Sequence, residues 1–392
     1  MGAQNLVVIG SGPAGVSAAR AYREAGGTGG VHIVSADHDR PYLRPPLSKD
    51  FLRGETTQEE ISLVDEEVLR DQDIRLVLGD PVAQLGDDRI VTAAGREYPF
   101  TQCVLATGAE PMRPDLPGAD DPSVRVLRSR RTSSALRDAA RKADAAIVVG
   151  AGFIGCEAAV SLSRLGVQVT VLCPDPAPQL NRLGRDAGEP IAGWLHGEGV
   201  RLLRETSLRS VTDGCHVRTD AGADLATDLV LLATGVRPRV GLAEQAGLAI
   251  EHGRVRVDER MRTSRPGFFA AGDVVLAYNP AAGRALPVEH WGEGLAMGEI
   301  AGRTAAGAAA QWDTVPGFWS EIGDHTLKYA AWGDGFDRAQ FVSGDDGGWT
   351  VWYERDGVAV GVLTHEADAD YERGSALIRE HRPAPADREK IR

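Results

Sequence analysis

The sequence predicts an α/β chain with two parallel-sheet domains of similar design and a small α+β domain at the C-terminal end. Three observations predict it. Two segments far apart each read strand, glycine-rich turn, helix, strand. Two further apolar strands each end in Ala-Thr-Gly and run into a proline-bearing stretch. The last eighty or so residues carry short alternating runs separated by Gly and Asp turns.

The first element is "LVVI", Leu6 to Ile9, a continuous apolar run of the kind buried on both faces of a parallel sheet. Gly10, Gly12 and Gly15 follow as G-x-G-x-x-G, with Pro13 and Ala14 inside the turn, and "VSAARAYREAG" has helical spacing. Glycines permit the tight turn and let a pyrophosphate approach free N–H groups at the helix start. A second strand, "VHIVSAD", ends at Asp37, 22 residues past Gly15, where an acid takes a ribose hydroxyl. The same order recurs in "AAIVVGAGFIGCEAAVSLSRLGVQVTVLC" with Gly150, Gly152 and Gly155. One such turn can serve packing alone; two in full context predict two dinucleotide sites.

The strands "CVLATG" and "LVLLATG" place Thr107, Gly108 and Gly235 at matching ends. In "PGFFAAGDVV" a strand ends in Gly272-Asp273, with an apolar helix expected near 294–310. The strands expected in the last domain are "AQFVSG", "WTVWYERDG" and "AVGVLTH", and the tail 381–392 is expected to fray.

Bulk properties narrow the function. The chain has 392 residues, 43% hydrophobic and 25% charged, enough for two or three cores. A net charge of -13 argues against nucleic acid or an anionic membrane as the main partner. No apolar run is long enough to span a bilayer, and the N-terminus leads straight into a strand, so no leader is expected. Cys103, Cys156, Cys173 and Cys215 form no C-x-x-C pair and have no metal-ligand spacing, so no metal is expected and a cytoplasmic location is.

The set "GSGPAG", "RPPLSK", "LATGAEP", "GAGFIGCE", "LATGVRP" and "FFAAGD" resembles the FAD-dependent pyridine nucleotide oxidoreductases, in particular the oxygenase-coupled ferredoxin reductases. The resemblance implies two Rossmann-like domains in the glutathione-reductase arrangement. An FAD domain is expected in two pieces, 1–109 and 236–312, an NAD(P)H domain at 110–235, and a C-terminal interface domain at 313–392. FAD is expected without a covalent link, at Gly10, Gly12, Pro13, Ala14, Gly15, Asp37 and the adenine-facing Val82.

The loop "RPPLSK" stands where thiol-dependent relatives carry a redox cysteine pair. Its prolines fix the backbone. The resemblance assigns Arg44 and Pro45 to cofactor contact and puts Lys49 beside the flavin, where an ammonium favours the charge of the reduced ring. Glu157 is expected in the first turn of its helix, either as a helix-dipole acid or, by the resemblance, as the counter-ion of Lys49. By the same resemblance Arg128, Thr107, Gly108, Gly272, Asp273, Trp291 and Trp319 contact FAD. Gly150, Gly152, Phe153, Ile154, Gly155, Cys173 and Gly235 contact NAD(P)H, and Phe318 is open between core and flavin mouth.

Three departures stand out. Ala36 replaces the usual acid beside Asp37. Cys173 replaces the acid for the NADH ribose, with Asp175 two residues on and no arginine directly adjacent, which favours NADH over NADPH. The segment "SEIGDHTLKYAAWGDG" differs from the family's interface sequence, which leaves the acceptor open. The implied activity is an NAD(P)H-dependent FAD reductase feeding a small iron–sulfur ferredoxin that serves a P450 or Rieske-type oxygenase, as monomer or homodimer. Its rivals are an NAD(P)H oxidase, a quinone or disulfide reductase, and a redox-controlled binding protein of the apoptosis-inducing-factor kind. Arg44, Arg53 and Arg284 are candidates for a basic landing area.

Overall fold

The computed structural model describes residues 5–344 and 347–386. The chain forms two compact units, one of residues 1–43, 61–110 and 237–316 and one of 44–60, 111–236 and 317–392. No helix among the described residues is long and apolar enough to cross a membrane.

The first unit is built on a five-stranded parallel sheet in the order Phe268–Ala270, Gln102–Leu105, Leu6–Ile9, Val31–Val34, Ile74–Val77. Leu6, Val7 and Val8 at its centre have no exposed surface, as a doubly covered strand requires. Helix Pro13–Glu24 lies against helix Trp291–Ala305 at very short range. A Cβ at Gly298 would stand 2.2 Å from Ala14 O, and one at Gly302 would stand 2.1 Å from Ala18 O, so only glycine lets these backbones meet. The apolar helix starts a few residues earlier than the sequence suggested, because Trp291 and Gly292 extend it toward the strand ends.

The second unit has its own parallel sheet, ordered Arg201–Leu203, Gln168–Leu172, Ala145–Val149, Leu229–Leu232, Arg125–Val126. It also contains an antiparallel sheet in the order Gly317–Ile322, His325–Ala331, Val358–His365, Trp349–Arg355, Arg338–Ser343, with helix Asp368–Arg379 packed on it. The three strands expected from the sequence are present, and the first two of this sheet are additional. The two sheets share one hydrophobic core that runs from Val148, Cys156 and Leu162 to Ile322, Leu327 and Val351. Leu52, from the proline loop, is fully buried in the same core.

The tail is less free than expected at its start. Ala359 N donates to Arg382 O at 2.8 Å and Ala384 N donates to Glu354 Oε1 at 3.1 Å, which ties residues 382 and 384 to the inner strands Val358–His365 and Trp349–Arg355. Residues 1–4 and 387–392, on which the expectations of a leaderless start and a frayed end also rest, lie outside the described residues.

Candidate functional site

In the first unit, Gly10 ends its strand at φ +115, and a Cβ there would meet Ala106 O at 2.2 Å. Gly12 caps helix Pro13–Glu24 in an extended conformation without a side-chain cap, and Pro13 opens the helix. A Cβ at Gly15 would meet Gly10 O at 2.0 Å. The turn is therefore a bare cradle of N–H groups at a helix start, which fits an adenine dinucleotide pyrophosphate. Gly272, at φ +82, brings its backbone to Ala14, where a Cβ would lie 3.1 Å from the Ala14 Cβ; Asp273 follows it.

Asp37 stands at the strand-end position that a ribose ligand needs, but it also organises its own turn. Its Oδ2 accepts from Tyr42 Oη at 2.9 Å and its Oδ1 accepts from Asp39 N at 3.1 Å. Val82 opens the strand Val82–Leu85 opposite Thr92. Thr107 Oγ1 donates to Arg239 O at 2.8 Å, and Gly108 beside it has φ +64. Trp291 is half-buried at the start of its helix.

The second unit repeats the cradle. Gly150 has φ +107, Gly152 caps helix Phe153–Arg164 without a side chain, and a Cβ on Gly155 would stand 2.1 Å from Gly150 O. Ile154, in the first turn, is 49% exposed. Gly235, at φ +95, follows Thr234, whose Oγ1 donates to Met112 O at 2.8 Å. Sequence reasoning missed Gln179. Its Nε2 is buried without a hydrogen-bond partner among the described residues and would lie 3.9 Å from a Cβ at Gly152. An amide N–H left unsatisfied at a phosphate cradle is what a bound dinucleotide would complete.

The quoted loop takes shape around its prolines. Pro45 and Pro46 begin a single 3-10 turn, Pro45–Ser48, where their missing N–H groups cost nothing. Ser133 Oγ donates to Leu47 O at 2.7 Å, Ser161 Oγ to Ser48 O at 2.7 Å, and Arg137 to Phe51 O at 3.1 Å. Three side chains from two helices thus hold the backbone on either side of Lys49. Lys49 Nζ donates to Glu157 Oε2 at 2.9 Å, and the two side chains are 11% and 5% exposed.

Glu157 does not lie in the first turn of its helix, contrary to expectation. The helix begins at Phe153, capped by Gly152, so Glu157 falls in the second turn and points inward. Its acceptors are filled from several sides. Ser48 Oγ donates to Oε2 at 2.5 Å, Ser320 Oγ to Oε1 at 2.7 Å and Glu321 N to Oε1 at 3.3 Å. Ser48 stands inside the quoted motif "RPPLSK" and Ser320 opens the quoted segment "SEIGDHTLKYAAWGDG", so both could have been singled out there. Buried charges persist only when paired and hydrogen-bonded in this way.

Arg44 donates through one arm to Arg128 O at 2.8 Å, so these two expected site residues meet. Phe318 is packed edge-on against Phe153, ring centroids 4.8 Å apart, and also against Tyr329; it is partly buried and packs against the core. Trp319, next to it, is 42% exposed. Arg53 is not a free basic contact: it is bound to Asp50 and Glu55 and donates to Ser161.

Cys173 ends its strand fully buried, its thiol donating to Asp175 O at 3.2 Å. Burial pushes this thiol up, as it does those of Cys103 and Cys156. Although no arginine adjoins Cys173 in sequence, the neighbouring parallel strand delivers one: Cys173 N donates to Leu203 O, and Arg204 donates to Pro176 O at 3.1 Å.

The chain is similar to known proteins over most of its length. It is 32% identical to a rubredoxin-NAD(+) reductase of Pseudomonas putida over 82% of this chain and 85% of that protein. It is 31% identical to a ferredoxin--NAD(P)(+) reductase of Sphingomonas sp. over 95% and 92%. Its fold matches the crystal structure of the ferredoxin reductase for the CYP199A2 system of Rhodopseudomonas palustris with a TM-score of 0.91 and 26% identity, covering 97% and 96% of the two chains. Residues 4–302, which span both cradles, match the pyridine nucleotide-disulphide oxidoreductase family, and the chain belongs to that family.

Proposed function

We propose that this protein is an NAD(P)H-dependent FAD oxidoreductase that passes electrons to a small redox protein, a ferredoxin in the first instance. The carrying observation is Lys49 paired with Glu157 beside the second cradle, in a loop that contains no cysteine. When bound, FAD supplies the exchange between two-electron hydride chemistry and one-electron transfer.

The chain's own residues bind, orient and set charge. The first unit's cradle at Gly10–Gly15, with Asp37 and Gly272-Asp273, holds an adenine dinucleotide. The second unit's cradle at Gly150–Gly155, with Gln179, holds the nicotinamide nucleotide. Lys49 keeps its ammonium fixed because Ser133, Ser161 and Arg137 bind the loop backbone. A positive charge held in place before the reaction favours negative charge arriving on an adjacent ring. Glu157 keeps that ammonium oriented and does no acid–base work. Both relatives named above as reductases take a small electron carrier in their names, which supports the same class of partner here.

Anaerobic mixing of the flavin-loaded protein with NADH tests the first half, the expected result being loss of the oxidised flavin band. Cytochrome c reduction that rises with added ferredoxin tests the second half. Rapid NADH oxidation that is indifferent to ferredoxin and proportional to oxygen overturns the reading in favour of an oxidase.

A further inference from the structure

Strand Gln168–Leu172 and its parallel neighbour Arg201–Leu203 end side by side, at Cys173 and Arg204. In a dinucleotide-binding unit of this kind the adenosine ribose lies at that corner; an acid there takes the 2′-hydroxyl, whereas an arginine takes a 2′-phosphate. Both charges are present. Asp175 Oδ2 accepts from Asn181 Nδ2 at 3.3 Å. Arg204 places one arm on Glu189 Oε1 at 2.7 Å and the other on Glu189 Oε2 at 2.8 Å. This is a bidentate fork, the strongest common geometry for the pair. Burial sets the thiol of Cys173 high and a hydrogen bond with the Asp175 backbone pulls it back, while the Asp175 charge raises it and the Arg204 charge lowers it, so both charges bear on one corner.

We propose that Glu189 is a specificity residue: by occupying both arms of Arg204 it withholds that guanidinium from a 2′-phosphate and makes NADH the preferred nucleotide. The inference rests on the reading of this cradle as the NAD(P)H site. Asp175 and Glu189 then bring two carboxylates to the corner, and a 2′-phosphate must enter against them while Arg204 is held in the fork. Arg185, near the start of the helix that carries Glu189, is the other cation bearing on it. The fork is partly open to solvent, at 38% and 43% side-chain exposure, so the discrimination is about tenfold rather than thousandfold.

The probes are 5′-AMP and 2′,5′-ADP, which differ only in the 2′-phosphate, titrated calorimetrically into the full flavin-loaded chain. Glu189→Gln is expected to shift the affinity ratio about tenfold toward 2′,5′-ADP, and Glu189→Ala to do the same. Arg204→Met added to Glu189→Gln should abolish the gain. Arg204→Met alone should bring no gain for 2′,5′-ADP, because it removes the guanidinium and leaves both carboxylates in place. An unmoved ratio in both Glu189 variants, at unchanged melting temperature, overturns the proposal. So does a gain in 2′,5′-ADP affinity in Arg204→Met alone. If the unaltered chain binds neither probe, the nucleotide reading itself falls, and the role of Glu189 falls with it.

Discussion

Lys49 Nζ and Glu157 Oε2 are 2.9 Å apart and belong to segments more than one hundred residues distant in sequence, a proline loop and a helix that opens on a glycine turn. Lys49 is satisfied by Glu157, and Glu157 by Lys49 and by the hydroxyls of Ser48 and Ser320, which donate to it. Removing one charge therefore leaves the other buried and unbalanced. Such truncations cost about 3–5 kcal/mol for fully buried pairs, and less here because Lys49 keeps some exposure. Lys49→Met and Glu157→Gln are each expected to slow flavin reduction by NADH. The double variant should cost less than the sum of the two, since one interaction is counted in both. Stopped-flow barriers for the three proteins measure the coupling. Strictly additive barriers would mean that the pair does not act as a unit.

The thiols should be dispensable for chemistry. Cys103 and Cys156 have no exposed surface, and burial holds both well above the ordinary thiol range, so neither forms the thiolate that reacts. Replacing all four cysteines by Ala or Ser is expected to lower stability by roughly 1 kcal/mol per buried site, read as a lower melting temperature, while hydride transfer to FAD continues. A single cysteine change that blocks flavin reoxidation by the native carrier would overturn the thiol-free reading.

What the sequence revealed was local. Strand Leu6–Ile9 was legible because four apolar residues run directly into a glycine turn, and Gly10 and Gly150 because each sits where a side chain would strike a neighbouring carbonyl. Strands Gly317–Ile322 and His325–Ala331 were not legible. Buried Ser320 interrupts the first, while polar His325, Thr326 and Lys328 hide the buried Leu327 and Tyr329 of the second. The site followed the same rule. Lys49 and Glu157 lie in motifs, whereas Gln179 and Arg204 reach their cradle from elements with no glycine signature of their own. Glu157, two residues past the last glycine of its turn, looks in the sequence like a first-turn acid, whereas the cap at Gly152 puts it one turn further on. Arg204 was invisible because adjacency across parallel strands leaves no mark in linear order.

Gln179 allows affinity and stability to be separated. Its backbone has φ +59, a left-handed conformation that costs a side-chain-bearing residue about 1–2 kcal/mol. Gln179→Gly relieves that cost and deletes the amide facing Gly152. The melting temperature is expected to hold or rise, while the dissociation constant for NADH rises about three- to tenfold, the worth of one hydrogen bond. Calorimetry and a thermal melt on the same sample check both. Unchanged NADH affinity in this variant would remove Gln179 from the cradle.

His325 makes stability depend on pH. Its ring lies flat on Trp194, centroids 4.4 Å apart at 7°, with His365 at 5.4 Å. Burial lowers its affinity for a proton, and the neighbouring His365 lowers it further, against opposing pulls from Asp324, Glu366 and Glu198. A histidine lowered on folding binds fewer protons folded than unfolded, so stability rises with pH across the gap between the two values. The penalty is absent well above the unfolded value of about 6.5 and grows as pH falls below it. Carboxylates of ordinary strength remain ionised over most of that range, which isolates the histidine contribution. The melting temperature is expected to fall between pH 7 and pH 5. His325→Phe keeps an aromatic face on Trp194 and cannot titrate, so its melting temperature should be flatter over the same range. An equal slope in the variant would assign the acid sensitivity to other groups.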